Sequence, residues 1–334
     1  MRTPLKHAVV DCHAHLTPRS AFERAERELG KLAPHLSGTG ATPVVELPQG
    51  RLGPLPVETV DFPSAVRLVR KMGVEAAIFS PPPFLFLYEL PPDAGAVWAR
   101  ILNDSLAETV AGTPGMHGLA SVALQDPQGA VGELKRAIGT LGFKGVEIAS
   151  NIAGVELDNP ALSPFYAAVQ ELDVPILVHP HSVAGADRMK EYYLRNLVGN
   201  PLDTTLGATR LVLGGVFDRF PKLKVCLSHA GGYFLAGLGR LEHGYRRRGD
   251  VRTGCSRSPA SYLPNLYFDT IAHSRPWLEY VLAVAGDEHL LLGTDLPFDM
   301  GDLDPLASIQ ALGLGAGSHG RVTAGNAVQL FHLS

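Results

Sequence analysis

Cysteine is nearly absent from this chain, with only Cys12, Cys226 and Cys255 among 334 residues. An odd number this small excludes a disulfide framework and suits a reducing compartment, so a cytoplasmic protein is expected. Charge of either sign is sparse. Lys and Arg number 29 against 33 Asp and Glu, a net charge of −4. That leaves little to neutralise phosphates, and the one basic run, Arg246-Arg247-Arg248, reads as a solvated helix end. No nucleic-acid partner is expected. No apolar run approaches the roughly 18 residues needed to span a bilayer, and the first residues pass into a short apolar strand without a cleavage site. Neither a membrane nor a secreted protein is expected. Also missing are a repeat of fixed period, a low-complexity tract and any motif for a nicotinamide, flavin or pyridoxal cofactor. What remains is 46% hydrophobic residues over a length that easily builds a core.

The chain alternates strands and helices. Apolar, β-branched runs predict strands beginning at residues 8, 74, 116, 143, 174, 223, 265 and 289. Between them lie segments of helical periodicity, among them 20–30, 61–73 with Asp61 as its cap, 94–112, 160–172, two helices over 187–217, 231–246 and 276–286. Eight strands in alternation with helices predict a (β/α)8 TIM barrel filling residues 1–334 as one domain. An open doubly wound sheet would want a Gly-rich loop after the first strand, and Asp11-Cys12-His13-Ala14-His15 stands there instead. Residues 31–60, rich in Gly and Pro and without periodicity, read as a small inserted loop region after the first helix, long enough to cover a site.

Polar residues close four of these strands, at the end where a barrel carries its active site. His13 and His15 stand two apart on strand 1, so an extended chain turns both imidazoles to one face. His179 ends strand 5 before Pro180, His229 ends strand 6 before a pair of glycines that let backbone approach a ligand, and Asp295 tips strand 8. A single histidine near a strand end is ordinarily a surface or satisfied core residue, and the chain has 13. An HxH pair, two further histidines and a carboxylate, each closing a strand in barrel order, make a metal site suited to Zn²⁺, with Mn²⁺ or Fe²⁺ as alternatives. Cys12 alternates away from the metal face and reads as core. Asp11 is expected one layer down as an acceptor for a ligand, and Asp269 as an orienting group or a turn cap. Lys144 on strand 4 reads as an outward charge; His273, Phe84, Phe86 and Tyr88 are candidates for walls of the substrate site.

The segments VVDCHAH, ILVHP, GGVFDRFPKLKVCLSHAGG, LGRLEHGYRRR and LLLGTDLPFDMGDLDP resemble the amidohydrolase superfamily. They are most similar to its branch of metal-dependent decarboxylases, that of 2-amino-3-carboxymuconate-6-semialdehyde decarboxylase. The likeness is close from about residue 116 onward and loose over 16–115 beyond the HxH strand. It implies that His13, His15, His179 and Asp295 hold one divalent metal, usually zinc, together with a water. Beside that water His229 would act as acid and base, so that His229 and Asp295 are the catalytic pair. The resemblance further implies a small carboxylic acid as substrate and a homodimer in which Arg240 reaches the neighbour's substrate carboxylate. A loop arginine, for which Arg51 is the nearest candidate, would clamp the carboxylate as well. Two positions depart from the branch: His181 stands where a Trp follows the His-Pro, and Tyr192 replaces a second Trp. Both are expected to border the substrate. The reaction implied is non-oxidative decarboxylation of an unsaturated or aromatic acid. Metal-dependent hydrolysis of a lactone or amide, or hydration of a double bond, is the alternative. A metal-binding protein on a decayed barrel would lack one of the five polar residues, and none is missing.

Overall fold

The structure, a computed structural model, describes residues 9–48 and 50–333. The start of the first expected strand, before Val9, lies outside these residues. Short parallel strands follow one another around a barrel: β1 (Val10–His15), β2 (Ala76–Ser80), β3 (Met116–Gly118), β4 (Val146–Ala149), β5 (Ile176–His179), β6 (Val225–Leu227), β7 (Leu266–Asp269) and β8 (Leu290–Leu291). β1 pairs β2 and β2 pairs β3, and a second parallel run joins β4 through β8 in order. Isolated bridges close the ring, Ala120 to Val146 between β3 and β4 and Ala14 to Leu296 between β1 and the segment after β8. Backbone bonds from Cys12 N to Leu292 O and Asp295 N to His13 O, 2.9 and 2.8 Å, seal the last seam. The (β/α)8 expectation is met, with every strand starting within three residues of its expected position.

Burial explains why these runs are strands. Val146, Ile148, Ile176, Val178, Val225 and Leu227 face outward into the main core beneath the helices. Cys12, Ile78, Leu119, Leu177, Cys226 and Leu291 meet in a separate cluster that Ala327, Leu330 and Phe331 of the C-terminal segment close off. Strands buried on both faces read as continuous apolar runs, which is what the sequence carries. The pairing register of β1 shifts between Asp11 and Ala14, so Cys12 falls in this interior cluster while His13 and His15 still share a face above it.

Asp61 caps the helix Phe62–Lys71 as expected, its carboxylate accepting from Ser64 N at 3.0 Å. Residues 31–60 are not a structureless loop. They hold a three-stranded antiparallel sheet, His35–Gly38, Pro43–Leu47 and Gly50–Leu52. Its inner face, with Val45, packs with Phe22 of the helix Arg19–Leu29 and with Trp98 and Ile101 of the helix Pro92–Val110. The stretch 187–217, expected to hold two helices, differs too. The main helix there is Asn200–Leu213, preceded by the wide turn Arg195–Gly199, and 189–194 is irregular. No helix of the described residues is long and apolar enough to cross a membrane.

Candidate metal centre and substrate cavity

The strand ends bring His13, His15, His179, His229 and Asp295 to one point at the mouth of the barrel. Asp295 Oδ1 lies 3.0 Å from His15 Nε2, 3.6 Å from His13 Nε2 and 4.0 Å from His179 Nε2. Its other oxygen is 3.4 Å from His229 Nε2. His13 and His15 Nε2 stand 3.1 Å apart, within hydrogen-bond reach, and so converge on one point. Buried His179 Nε2 and Asp295 Oδ1 make no well-aligned hydrogen bond, although His15 Nε2 comes within 3.0 Å of the latter. Buried polar atoms are rarely left so, and imidazole nitrogens around a carboxylate are what a divalent cation binds. The residues present therefore fit a metal ion.

The groups outside this point hold it in shape. Asp269 Oδ2 is 2.8 Å from His13 Nδ1, which turns Nε2 toward the centre. The same carboxylate accepts from His229 N at 2.9 Å and Ala230 N at 2.7 Å, fixing the loop that carries His229. Asp269 is thus the orienting residue, and Asp11 is not. Asp11 accepts from His13 N and Thr294 N, both at 3.0 Å, and from Thr294 Oγ1 at 2.5 Å, so it ties β1 to the Asp295 loop without reaching an imidazole. His179 Nδ1 faces Pro180 O at 3.0 Å. His229 and Asp295 both sit in the left-handed region, each at φ 55°, a cost of order 1–3 kcal/mol per residue that the surrounding bonds sustain. Gly293 is needed for closeness: a Cβ there would stand 2.9 Å from Asp269 Cβ and 3.2 Å from His13 Cβ. The glycines after His229 serve packing, since Cβ atoms on Gly231 and Gly232 would strike the Phe268 ring at 2.7 Å and Pro201 O at 2.1 Å.

Electrostatics separate the histidines. Burial, then the neighbouring imidazoles, push His179 well below the ordinary histidine range, and burial lowers His13 against the pull of Asp269. Burial also opposes charge on His15 and His229, but the Asp295 carboxylate outweighs it and raises both. Asp295 is buried yet held well below the usual carboxylate range by His15 and His229.

Two cavities open from this centre, both reaching Asp295. The smaller, about 380 Å³, runs past His229, Tyr233, Ile271, His273 and Trp277. The larger, about 1160 Å³, runs past His179, His181, Phe84 and Phe298 and beneath the inserted sheet, where Arg51 lines it. The insertion does cover the site. His181 borders this cavity, its N donating to Ser150 Oγ at 3.3 Å and its carbonyl accepting from Asn151 Nδ2 at 2.8 Å. Tyr192 does not: it is 81% exposed and lines neither cavity, and its neighbour Tyr193 takes the wall, its hydroxyl donating to Asp299 Oδ1 at 3.3 Å. Phe86 and Tyr88 stack on each other in the core, leaving Phe84 as the aromatic wall of that trio. Arg240 is exposed on the helix Phe234–Arg247 and lines neither cavity. Lys144 precedes β4 and stays out of both.

The sequence reading missed two charged residues. Arg195, on the wide turn before the helix Asn200–Leu213, lines the larger cavity with Arg51. Nothing in its local sequence marks it. Glu147 of β4 is fully buried beside His13 and His15, their donor atoms all within 4.8 Å of one another. Its signal was legible: it is the one acidic residue in the apolar run Val146–Ala149, between outward-facing Val146 and Ile148. Burial raises its carboxyl to about 7.

Comparison with known proteins settles the family. Residues 10–333 match the amidohydrolase family. The chain belongs to it, in the branch of metal-dependent decarboxylases. It is 34% identical over 249 residues to a 2-amino-3-carboxymuconate-6-semialdehyde decarboxylase of Dictyostelium discoideum, covering 74% of this chain and 69% of that one. It is 26% identical over 312 residues to a 2-keto-4-carboxy-3-hexenedioate hydratase of a Sphingobium, covering 89% and 85%. Among solved structures, a dihydroxybenzoic acid decarboxylase from a Polaromonas, with bound manganese and 2-nitroresorcinol, superposes with a TM-score of 0.80 at 23% identity, covering 98% and 97%. That superposition shares the barrel fold with this member of the amidohydrolase family.

Proposed function

We propose that this amidohydrolase catalyses the zinc-dependent, non-oxidative decarboxylation of an unsaturated or aromatic carboxylic acid resembling 2-amino-3-carboxymuconate semialdehyde. The observation that carries this reading is the convergence of His13, His15, His179 and Asp295, with His229 beside them, next to a cavity lined by two arginines that form no ion pair among the described residues. His13, His15, His179 and Asp295 would hold the ion. When bound, it supplies Lewis-acid polarisation of a substrate oxygen and stabilises negative charge developing as carbon–carbon cleavage proceeds.

The chain's own residues do the rest. Arg51 and Arg195 bring positive charge to the cavity mouth and draw in the carboxylate, for which a guanidinium offers a two-pronged fit. Phe84 and Phe298, packed edge to face with ring centroids 6.3 Å apart, form one apolar wall for a flat, conjugated body. His229 Nε2, 3.4 Å from Asp295 Oδ2, is placed to hold a proton and deliver it to the carbon that carries the carboxylate. As that C–H bond forms, the C–C bond breaks and CO2 departs. The net change consumes one proton and releases one CO2, so His229 must be reprotonated from solvent each cycle.

Arg240 lies outside the chain's own cavities, and the surface around Leu197, Val198, Leu206 and Tyr233 exposes apolar side chains. Both features support a homodimer in which Arg240 serves the partner's site. Hydration or hydrolysis is the competing reading, favoured by the likeness to the hydratase. The test uses metal-stripped protein reloaded with zinc or manganese and offered freshly generated 2-amino-3-carboxymuconate semialdehyde, then hydroxybenzoates. CO2 release dependent on metal is expected. No CO2 from any acid, with turnover of a lactone or alkene acid instead, would replace this reaction with the competing one.

A further inference from the structure

Glu147 is the one group at the centre that neither the metal set nor the proton path above uses. Its side chain is fully buried, and neither carboxylate oxygen has a hydrogen-bond partner. A carboxylate in that position is costly, because burial removes its water and no donor replaces it. Strand alternation puts it there: Val146 and Ile148 point into the outer core, so Glu147 points into the barrel, toward His13 and His15. The nearby hydroxyl, Ser80 Oγ, is occupied otherwise, 3.4 Å from Ala14 O and 3.5 Å from His15 Nδ1.

We infer that Glu147 is a direct ligand of the resident metal, so that the ion is held by His13, His15, His179, Asp295 and Glu147. The geometry that carries this is the mutual approach, within 4.8 Å, of a Glu147 oxygen and the ring nitrogens of His13 and His15, with both Glu147 oxygens unpartnered. A divalent cation would meet the need of the orphaned carboxylate and of the orphaned His179 Nε2 and Asp295 Oδ1 together. The inference rests on the metal site proposed above and extends it. Its consequence is selectivity. A second carboxylate makes the donor set harder and raises the protein ligands to five, which lets the site hold manganese as well as zinc.

The test compares wild type with Glu147→Gln, which keeps the shape and removes the charge. Metal-free proteins are titrated with Mn²⁺, read by loss of the free-ion EPR signal, and with Zn²⁺ against a chromophoric chelator. Glu147→Gln should bind Mn²⁺ about 10-fold or more weakly, change the bound-ion spectrum and lose less affinity for Zn²⁺, while Glu147→Asp recovers part of the loss. Equal Mn²⁺ affinity and an unchanged spectrum in Glu147→Gln would overturn the inference and leave the metal site itself standing. Failure of wild type to bind either metal would instead remove the site. Circular dichroism and thermal unfolding of the metal-free proteins check the fold. A crystal structure of Mn²⁺-loaded wild type decides the point without a variant: a Glu147 oxygen within the coordination sphere supports it, and one outside contradicts it.

Discussion

His13 shows how much of the centre depends on residues that never touch the substrate. Its Nδ1 faces Asp269, which also holds the backbone of His229 and Ala230, so one carboxylate sets a ligand and the proposed proton donor together. Asp269→Asn keeps the size but presents an NH2 group or a weaker acceptor to four donors, His13 Nδ1 and the backbone N–H groups of His229, Ala230 and Ile271. It should lower metal affinity about 10- to 100-fold, measured by metal content after dialysis against a graded chelator series, with the fold intact by circular dichroism. Affinity equal to wild type would mean that the HxH pair is positioned by its strand alone. At this scale the sequence was partly legible. His13, His15, His179, His229 and Asp295 announce themselves because imidazoles at the ends of apolar strands have few reasons to be there. Arg195, Tyr193 and the division of labour between Asp11 and Asp269 were hidden, since each depends on which side chain a turn or a strand irregularity points inward.

Among the elements, the barrel strands were legible and the inserted sheet was not. Strands covered on both faces are continuous apolar runs, whereas His35–Gly38, Pro43–Leu47 and Gly50–Leu52 are short, largely exposed and broken by Gly and Pro, leaving no period to read. The last barrel strand is secured by an ion pair between elements. Arg321 donates to Asp287 through two nitrogens, at 3.1 and 2.6 Å, and Asn326 Nδ2 donates to the carbonyls of Asp287 and Leu290 at 2.6 and 2.7 Å. Arg321, then Ser318, hold the Asp287 carboxyl down to about 2, from 3.8. Because the folded value is depressed, its stabilising contribution is complete above about pH 4 and disappears as the pH falls toward 2. The Arg321 side chain is half exposed, so solvent screening keeps that contribution small. Asp287→Asn should lower the denaturation midpoint slightly at pH 6 and by less at pH 2.5, by urea unfolding at both. An equal loss at the two pH values would assign the effect to the hydrogen bonds of Asp287 instead of its charge.

At the scale of the whole molecule, the proposed site needs two chains and carries out one reaction. If Arg240 serves the partner's site, Arg240→Ala and His229→Ala are each inactive alone but complement one another. Mixed after dissociation and reassociation, half the dimers hold both chains and one of their two sites is complete, so about a quarter of wild-type activity should return. No recovery, in a mixture shown by sedimentation to contain dimers, would place Arg240 outside the reaction or in its own chain's site. Family and fold were legible in the sequence at this scale because eight strands and their terminal residues kept barrel order. The substrate was not, because the cavity wall is built from the inserted sheet and the irregular segment 181–196, where the sequence carries no period. The reaction is tested most directly by following the carboxyl carbon itself. An unsaturated or aromatic acid ¹³C-labelled at the carboxyl is incubated with the metal-loaded protein, the metal-stripped protein and loaded His229→Ala, and the label is traced by NMR. The account predicts that the label leaves as CO2 and bicarbonate only with the loaded wild type, and that in D2O the product gains deuterium at the carbon that lost it. A label retained in a hydrated or hydrolysed product would contradict decarboxylation at this centre.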